Sequence, residues 1–255
     1  MLDLGIYTLC IFAFVAGFID AMVGGGGLIQ LPAFLILQPQ LSLVQTLATN
    51  KTASFLGTMV AAVRYLKQVK IVWRHLAVAI VAAFIGSFSG ALLVSHVRKE
   101  DFMPFIVVVL VLVLFYTIKK KNLGVHETNK PRTHRQYFFY ALAIGGIIGF
   151  YDGLIGPGTG SFLIFAFVVL YGYNFLHASA NAKIINCVTN ISALIFFFTK
   201  GAILWSLAIP VGAANMLGNY AGSQLALKKG SGFVRAFFIV VVASLIAKLG
   251  WGLIH

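Results

Sequence analysis

Long apolar runs separated by short basic segments dominate the chain. Stretches over 76–95, 102–118, 138–155, 178–199, 206–227 and 233–254 each approach the roughly 20 residues that a helix needs to cross the hydrocarbon core of a bilayer. The period-2 alternation of a membrane barrel is absent, so the predicted elements are helices. Together with 5–22, 28–37 and 43–65, these runs form a pattern met twice: an apolar opening segment, a glycine-rich break, a short apolar piece, and three full helices. The opening segment plus the short piece is an awkward length. At 1.5 Å per residue, roughly 33 residues would reach about 50 Å, too long for one straight crossing and too short for two generous ones. A helix that enters, breaks at glycine and turns back resolves this.

The two patterns are copies. An offset of 132 residues, without a gap, carries Gly17-Phe18-Ile19-Asp20 onto Gly149-Phe150-Tyr151-Asp152 and Lys51 onto Lys183. It also carries Gly24 onto Gly156, Gly26 onto Gly158, Trp73 onto Trp205, Gly86 onto Gly218 and Gly90 onto Gly222. The expected organisation is a single all-α polytopic membrane domain: repeat 1 over 1–118, a polar linker over 119–136 containing Pro131, and repeat 2 over 137–255.

Composition sharpens the class. With 60% hydrophobic and only 10% charged residues, and a mean hydropathy of +0.96, the chain lies far outside soluble composition. The net charge of +13 does not point to nucleic acid, because the basic residues cluster in short loops where membrane topology accounts for them. Cys10 and Cys187 sit in apolar helices without CxxC spacing, which argues for small core residues rather than a disulfide framework or zinc site. No metal or cofactor is expected. Met1-Leu2-Asp3-Leu4 lacks the basic start of a cleavable signal, so the first helix is expected to be retained.

Charge placement predicts orientation. Of the 19 Lys and Arg residues, 13 fall in the loop with Arg64, Lys67, Lys70 and Arg74, the linker, and the turn with Lys228, Lys229 and Arg235. These segments are expected on the cytoplasmic side, with both termini on the periplasmic side. The basic loop after the Lys51 helix has as its repeat equivalent a loop carrying only Lys200, so equivalent loops lie on opposite sides. That predicts inverted repeats if the glycine-broken hairpin makes no net crossing; a parallel, four-crossing repeat is the competing reading.

The candidate chemistry is compact. Asp3, Glu100, Asp101 and Glu127 lie at the terminus, a turn and the linker, which leaves Asp20 and Asp152 as the intramembrane acids. A charge at bilayer depth costs roughly 2.5–3.5 kcal/mol unless it meets a cavity or a partner. Either acid could bridge to Lys51 or Lys183, hydrogen-bond the glycine break, or carry a proton. The breaks, Gly24-Gly25-Gly26-Gly27 and Gly156-Pro157-Gly158-Thr159-Gly160-Ser161, interrupt the helical ladder. The short helices that follow would aim their positive ends at an anion near Gly25, Gly26, Gly158 and Thr159; tight packing of small residues is the alternative. Beside Lys51 stands Asn50, while Asn186 and Asn190 follow Lys183 at i+3 and i+7 on one helix face. A cation flanked by amides suits a partly dehydrated oxyanion, although both amides could equally be interhelical glue. Gly86 to Gly90 and Gly218 to Gly222 have the spacing of helix packing, with Ser87 and Asn219 as weaker site candidates.

Other chemistries fit less well. Gly156 to Ser161 has glycine where a phosphate loop needs lysine. The same serine lacks a histidine base at depth, since His177 borders a helix as an interfacial polar residue.

The motifs Gly17-Phe18-Ile19-Asp20 to Leu28, Ala48-Thr49-Asn50-Lys51, Gly149-Phe150-Tyr151-Asp152-Gly153 to Pro157, and Ala182-Lys183 with Asn186 and Asn190 resemble, in this order, the TauE/SafE family of sulfite and organosulfur anion transporters. The resemblance implies a multi-pass protein of the bacterial inner membrane that moves small sulfur-containing anions such as sulfite, a sulfonate or thiosulfate. The reading is therefore a secondary transporter whose partners are a small anion and the lipid bilayer. A passive anion channel and an intramembrane enzyme are the rivals.

Overall fold

The computed structural model describes residues 2–94, 111–112, 114–115, 117–119, 123–128 and 133–254. Most of the helix predicted over 102–118 and parts of the linker lie outside these residues. The first half builds α1 (Leu2–Val23), α2 (Gly27–Leu37), α3 (Leu43–Leu66) and α4 (Trp73–Leu93). In the second half come α5 (His134–Leu154), α6 (Thr159–Tyr171), α7 (Phe175–Thr199) and α8 (Trp205–Ile254). Each of the last four begins 132 residues after its counterpart: Leu2 and His134, Gly27 and Thr159, Leu43 and Phe175, Trp73 and Trp205. The described residues contain no strand.

Local chemistry places these boundaries. The Ser42 hydroxyl accepts from Gln45 N (3.2 Å) while Ser42 N donates to Gln45 Oε1 (3.1 Å), a reciprocal cap that starts α3. Asn174, the repeat equivalent of Ser42, starts α7 by accepting from His177 N at 2.8 Å. Glycine ends the helices that stop abruptly. Gly24 (φ 74°) follows α1, and Gly156 (φ 92°) and Gly158 (φ 86°) form the second break. The structure adds what periodicity alone does not give: α5 carries a π-helical turn at Ile144–Ile148 and α6 ends in another at Phe167–Tyr171. The two helices predicted over 206–227 and 233–254 run end to end as α8, broken at Gly230, whose φ is 78°.

Burial is inside-out relative to a soluble protein. Asp20, Lys51, Asp152 and Lys183 are buried, whereas Ile36, Ile147 and Leu217 are 65–74% exposed. Such a surface is the complement of lipid tails, and among the described residues four helices are long and apolar enough to cross a membrane. Cys10 and Cys187 are half-buried free thiols, and Cys10 packs against the core cluster of Leu9, Ala13 and Phe34.

Helix pairing repeats with the duplication. A side chain on Gly218 would strike Phe14 O and Phe18 N, so α8 lies directly on α1; one on Gly86 would strike the equivalent Gly146 O and Phe150 N, so α4 lies on α5 in the same way. These glycines pack helices, as their spacing predicts. The repeat-related α3 and α7 run antiparallel. Leu47 and Ala48, early in α3, cluster with Phe197 at the far end of α7 and Ala202 just beyond it, and Leu204 N donates to Thr49 Oγ1 at 3.1 Å.

Candidate anion site between the glycine breaks

Asp20 lies in the last turn of α1 and Asp152 in the last turn of α5, each just before its glycine break. Lys51 and Lys183 sit two turns into α3 and α7. In both cases the lysine reaches across to the acid of the other half. Lys51 Nζ donates to Asp152 Oδ2 at 2.9 Å and to Asp152 O at 2.8 Å. Lys183 Nζ donates to Asp20 Oδ2 at 2.6 Å, and Thr58 Oγ1 donates to the same oxygen at 3.4 Å. The Asp152 carbonyl belongs to the last turn of α5, where carbonyls have no helical partner and the helix dipole is negative. The Lys51 ammonium therefore meets a carboxylate and a helix end together. The other half is wired differently, because Asp20 O accepts from Gly24 N at 2.9 Å.

The breaks themselves cross. Ser161 N donates to Gly24 O at 3.2 Å and Ser161 Oγ to Val23 O at 2.8 Å. A Cβ on either Gly24 or Gly160 would fall on the backbone of the other. The packing reading of the glycines thus holds at Gly24 and Gly160, and the Ser161 N–H is spent on the crossing.

Beside that crossing lies a cavity of ≈ 40 Å³. Of the residues singled out by sequence, Asp20, Gly26, Asn50, Lys51, Asp152, Gly158, Asn186 and Asn190 line it. Gly25, Thr159 and Lys183 are not among the lining residues. Thr159 Oγ1 donates to Gly156 O at 2.6 Å, and Lys183, 1% exposed, is turned to Asp20. Asn190 Nδ2 donates to Asn186 Oδ1 at 2.8 Å, so the two amides brace each other on the cavity wall.

A match to the family described as sulfite exporter TauE/SafE runs over residues 9–249. The chain belongs to that family. Relatives are similar along nearly their whole length. "Probable membrane transporter protein YfcA" of Escherichia coli strain K12 is 35% identical over 93% of this chain and 86% of its own. "Probable membrane transporter protein ORF9" of Sinorhizobium is 34% identical, covering 98% of this chain and 95% of its own. A "Probable membrane transporter protein" of Haemophilus influenzae is 33% identical, covering 98% and 99%.

This TauE/SafE chain also lines its cavity with residues that sequence reasoning missed. Ser54 and Thr58 face it from α3. They stand at i+3 and i+7 from Lys51, the spacing that singled out Asn186 and Asn190 after Lys183, so the signal was available. Asn215 had no such signal, since its repeat equivalent is Ala83. It reaches the wall because Gly57 has no side chain to exclude it. Asn215 Nδ2 donates to Gln30 Oε1 at 2.6 Å, and Asn219 Nδ2 donates to Asn215 Oδ1 at 2.7 Å. Among the described residues, buried Asn50 Oδ1 has no hydrogen-bond partner, an acceptor left open to a donor at the cavity wall. His177 stays outside the site, paired with Glu127 at 2.7 Å and stacked on Tyr173.

Proposed function

We propose that the protein is a secondary transporter of small, sulfur-containing anions of the sulfite, sulfonate or thiosulfate type. It works by alternating access between two inverted repeats in the bacterial inner membrane. The observation that carries this reading is the pair of crossed lysine–aspartate bridges, each joining one half to the other, at a small polar cavity between two broken helices. Cavity size supports a compact guest. A water needs roughly 10–15 Å³ of such space, so about three water-sized groups fit. The lining groups that can donate are one ammonium group, Lys51, four asparagines and two hydroxyls, a set that can replace the hydration of an oxyanion without trapping it. Inversion is supported by the antiparallel course of α3 and α7 together with the unequal positive charge of their following loops, four basic residues in or flanking the loop after α3 against Lys200 alone for the loop after α7. On this reading the linker is cytoplasmic and both termini are periplasmic. Asp20 and Asp152 couple the cycle to protons, because a protonated acid releases its lysine to the anion.

The test is flux of sulfite and thiosulfate into proteoliposomes. Lys51→Ala and Lys183→Ala are expected each to abolish transport, and Asp20→Asn with Asp152→Asn to remove its dependence on a pH gradient. Unchanged flux in both lysine variants would sink the site. A conductance far above transporter turnover in a planar bilayer would favour a channel instead.

A further inference from the structure

The two bridges are not equally placed. The bridge between Lys51 and Asp152 lines the cavity, whereas in the other bridge Lys183 is sealed behind Asp20. We infer that Lys51 Nζ is both the anion's ligand and the latch between the halves: the incoming anion displaces the Asp152 carboxylate, which takes up one proton from water as it leaves. This rests on the anion-transport reading above and gives it an order of events.

Three observations meet at this atom. An ammonium has three donors, and Asp152 takes two of those on Lys51, one through its carboxylate and one through its carbonyl. The carbonyl bond is independent of the carboxylate, so Lys51 stays aimed at the end of α5 after the carboxylate has gone. Next, Gly156 keeps a space open at the bridge. A Cβ there would lie 3.2 Å from Lys51 Nζ, 3.3 Å from Asp152 O and 3.4 Å from Asp152 Oδ1, so any side chain would crowd the ammonium and its acceptors, and glycine leaves the bridge approachable from the break. Finally, charge forbids a simple addition. The closed bridge is neutral, and an anion joining it would leave one uncompensated negative charge in a site with little solvent. Exchange with a proton conserves charge: Lys51 remains an ammonium, the anion replaces the carboxylate as its partner, and the carboxylate becomes a neutral acid.

The groups facing Asp152 are Lys51 from α3 and, on its own helix, Tyr151; Asp20 lies across the cavity with Tyr65, Cys187 and Lys183 around it. Because Lys51 belongs to the first half and Asp152 to the second, the exchange reduces the tie between α3 and α5 from an ion pair plus a hydrogen bond to the carbonyl hydrogen bond alone. The bridge between Lys183 and Asp20 meanwhile still holds α7 to α1. Anion binding and loosening of one of two inter-repeat latches are then the same event.

The test uses the purified full chain with sodium sulfite, thiosulfate and sulfate. Asp152→Asn, which leaves Lys51 without a counter-charge, should bind the most stabilising of these anions at least about tenfold more tightly than wild type by calorimetry. Lys51→Met should not bind it. If Lys51→Met binds like wild type, the site itself is misplaced. If Lys51 is required but Asp152→Asn binds no more tightly, displacement is wrong while the site survives. Should Asp152→Asn fail to fold, infrared difference spectroscopy on wild type decides: adding the anion should raise the C=O stretch of a protonated carboxyl group, a band retained in Asp20→Asn. Its absence overturns the exchange.

Discussion

The buried charges can be weighed one residue at a time. Taking one partner from a buried ion pair strands the other, at a cost of about 3–5 kcal/mol, whereas removing both costs far less. Lys183→Met should therefore lower the melting temperature sharply, and the double variant Lys183→Met/Asp20→Asn should recover most of the loss. A double variant no more stable than the single one would mean that Lys183 is held by something other than Asp20. Glycine gives a second contrast. Gly24 and Gly201 both have positive φ, but a side chain on Gly24 would meet the Gly160 backbone while one on Gly201 would meet nothing within 4 Å. Gly201→Ala should cost about 1–2 kcal/mol from conformation alone, and Gly24→Ala should prevent folding, as judged by recovery of monodisperse protein. At this scale the sequence was legible where the repeat doubled a signal. Asp20, Asp152, Lys51 and Lys183 each stand out by charge and recurrence. Which lysine meets which acid was not legible, because crossing between halves is a property of the packing. Asn215 was hidden for the same reason.

At the scale of elements, the lengths of the apolar runs and the glycine breaks did most of the predicting. The expected helix over 43–65 is Leu43–Leu66, and its cap at Ser42 is visible as a serine with glutamine three residues on. Ser42→Ala should cost about 1 kcal/mol and lower the melting temperature modestly without changing anion binding. A change in binding would mean that the start of α3 belongs to the site. The π-helical turns in α5 and α6 had no comparable signal. At the first of them, a side chain on Gly145 would strike Ala79 O and one on Gly149 the backbone of Ala83, so α5 lies directly against α4 there. That approach depends on a neighbour more than 60 residues away and leaves no local periodicity to read. The break between Lys229 and Phe233, by contrast, was legible from charge although α8 continues through it.

For the whole molecule the decisive question is the direction of the pseudo-two-fold axis. Reciprocal contacts, such as Gly218 on Phe14 and Gly86 on Gly146, require a two-fold relation but do not say whether the axis lies in the membrane plane or along its normal. The antiparallel course of α3 and α7 favours the plane, since helices that span a bilayer can oppose one another only if one copy is turned over. Trp73 and Trp205 fit the same arrangement. Both are about half exposed at the starts of equivalent helices, where indole rings favour a membrane interface, and inversion assigns them to opposite faces. The exposed positions Gln40, Gln68, Lys200 and Lys229 allow a direct test in a background of Cys10→Ala and Cys187→Ala. Inversion predicts that a membrane-impermeant maleimide labels Gln40→Cys and Lys200→Cys in spheroplasts, but labels Gln68→Cys and Lys229→Cys only once the membrane is opened. The parallel, four-crossing alternative puts the loop after α3 and the loop after α7 on one side. Identical labelling of Gln68→Cys and Lys200→Cys would therefore exclude inversion, and the two lysines would then approach the cavity from the same face rather than serving opposite sides of the membrane in turn.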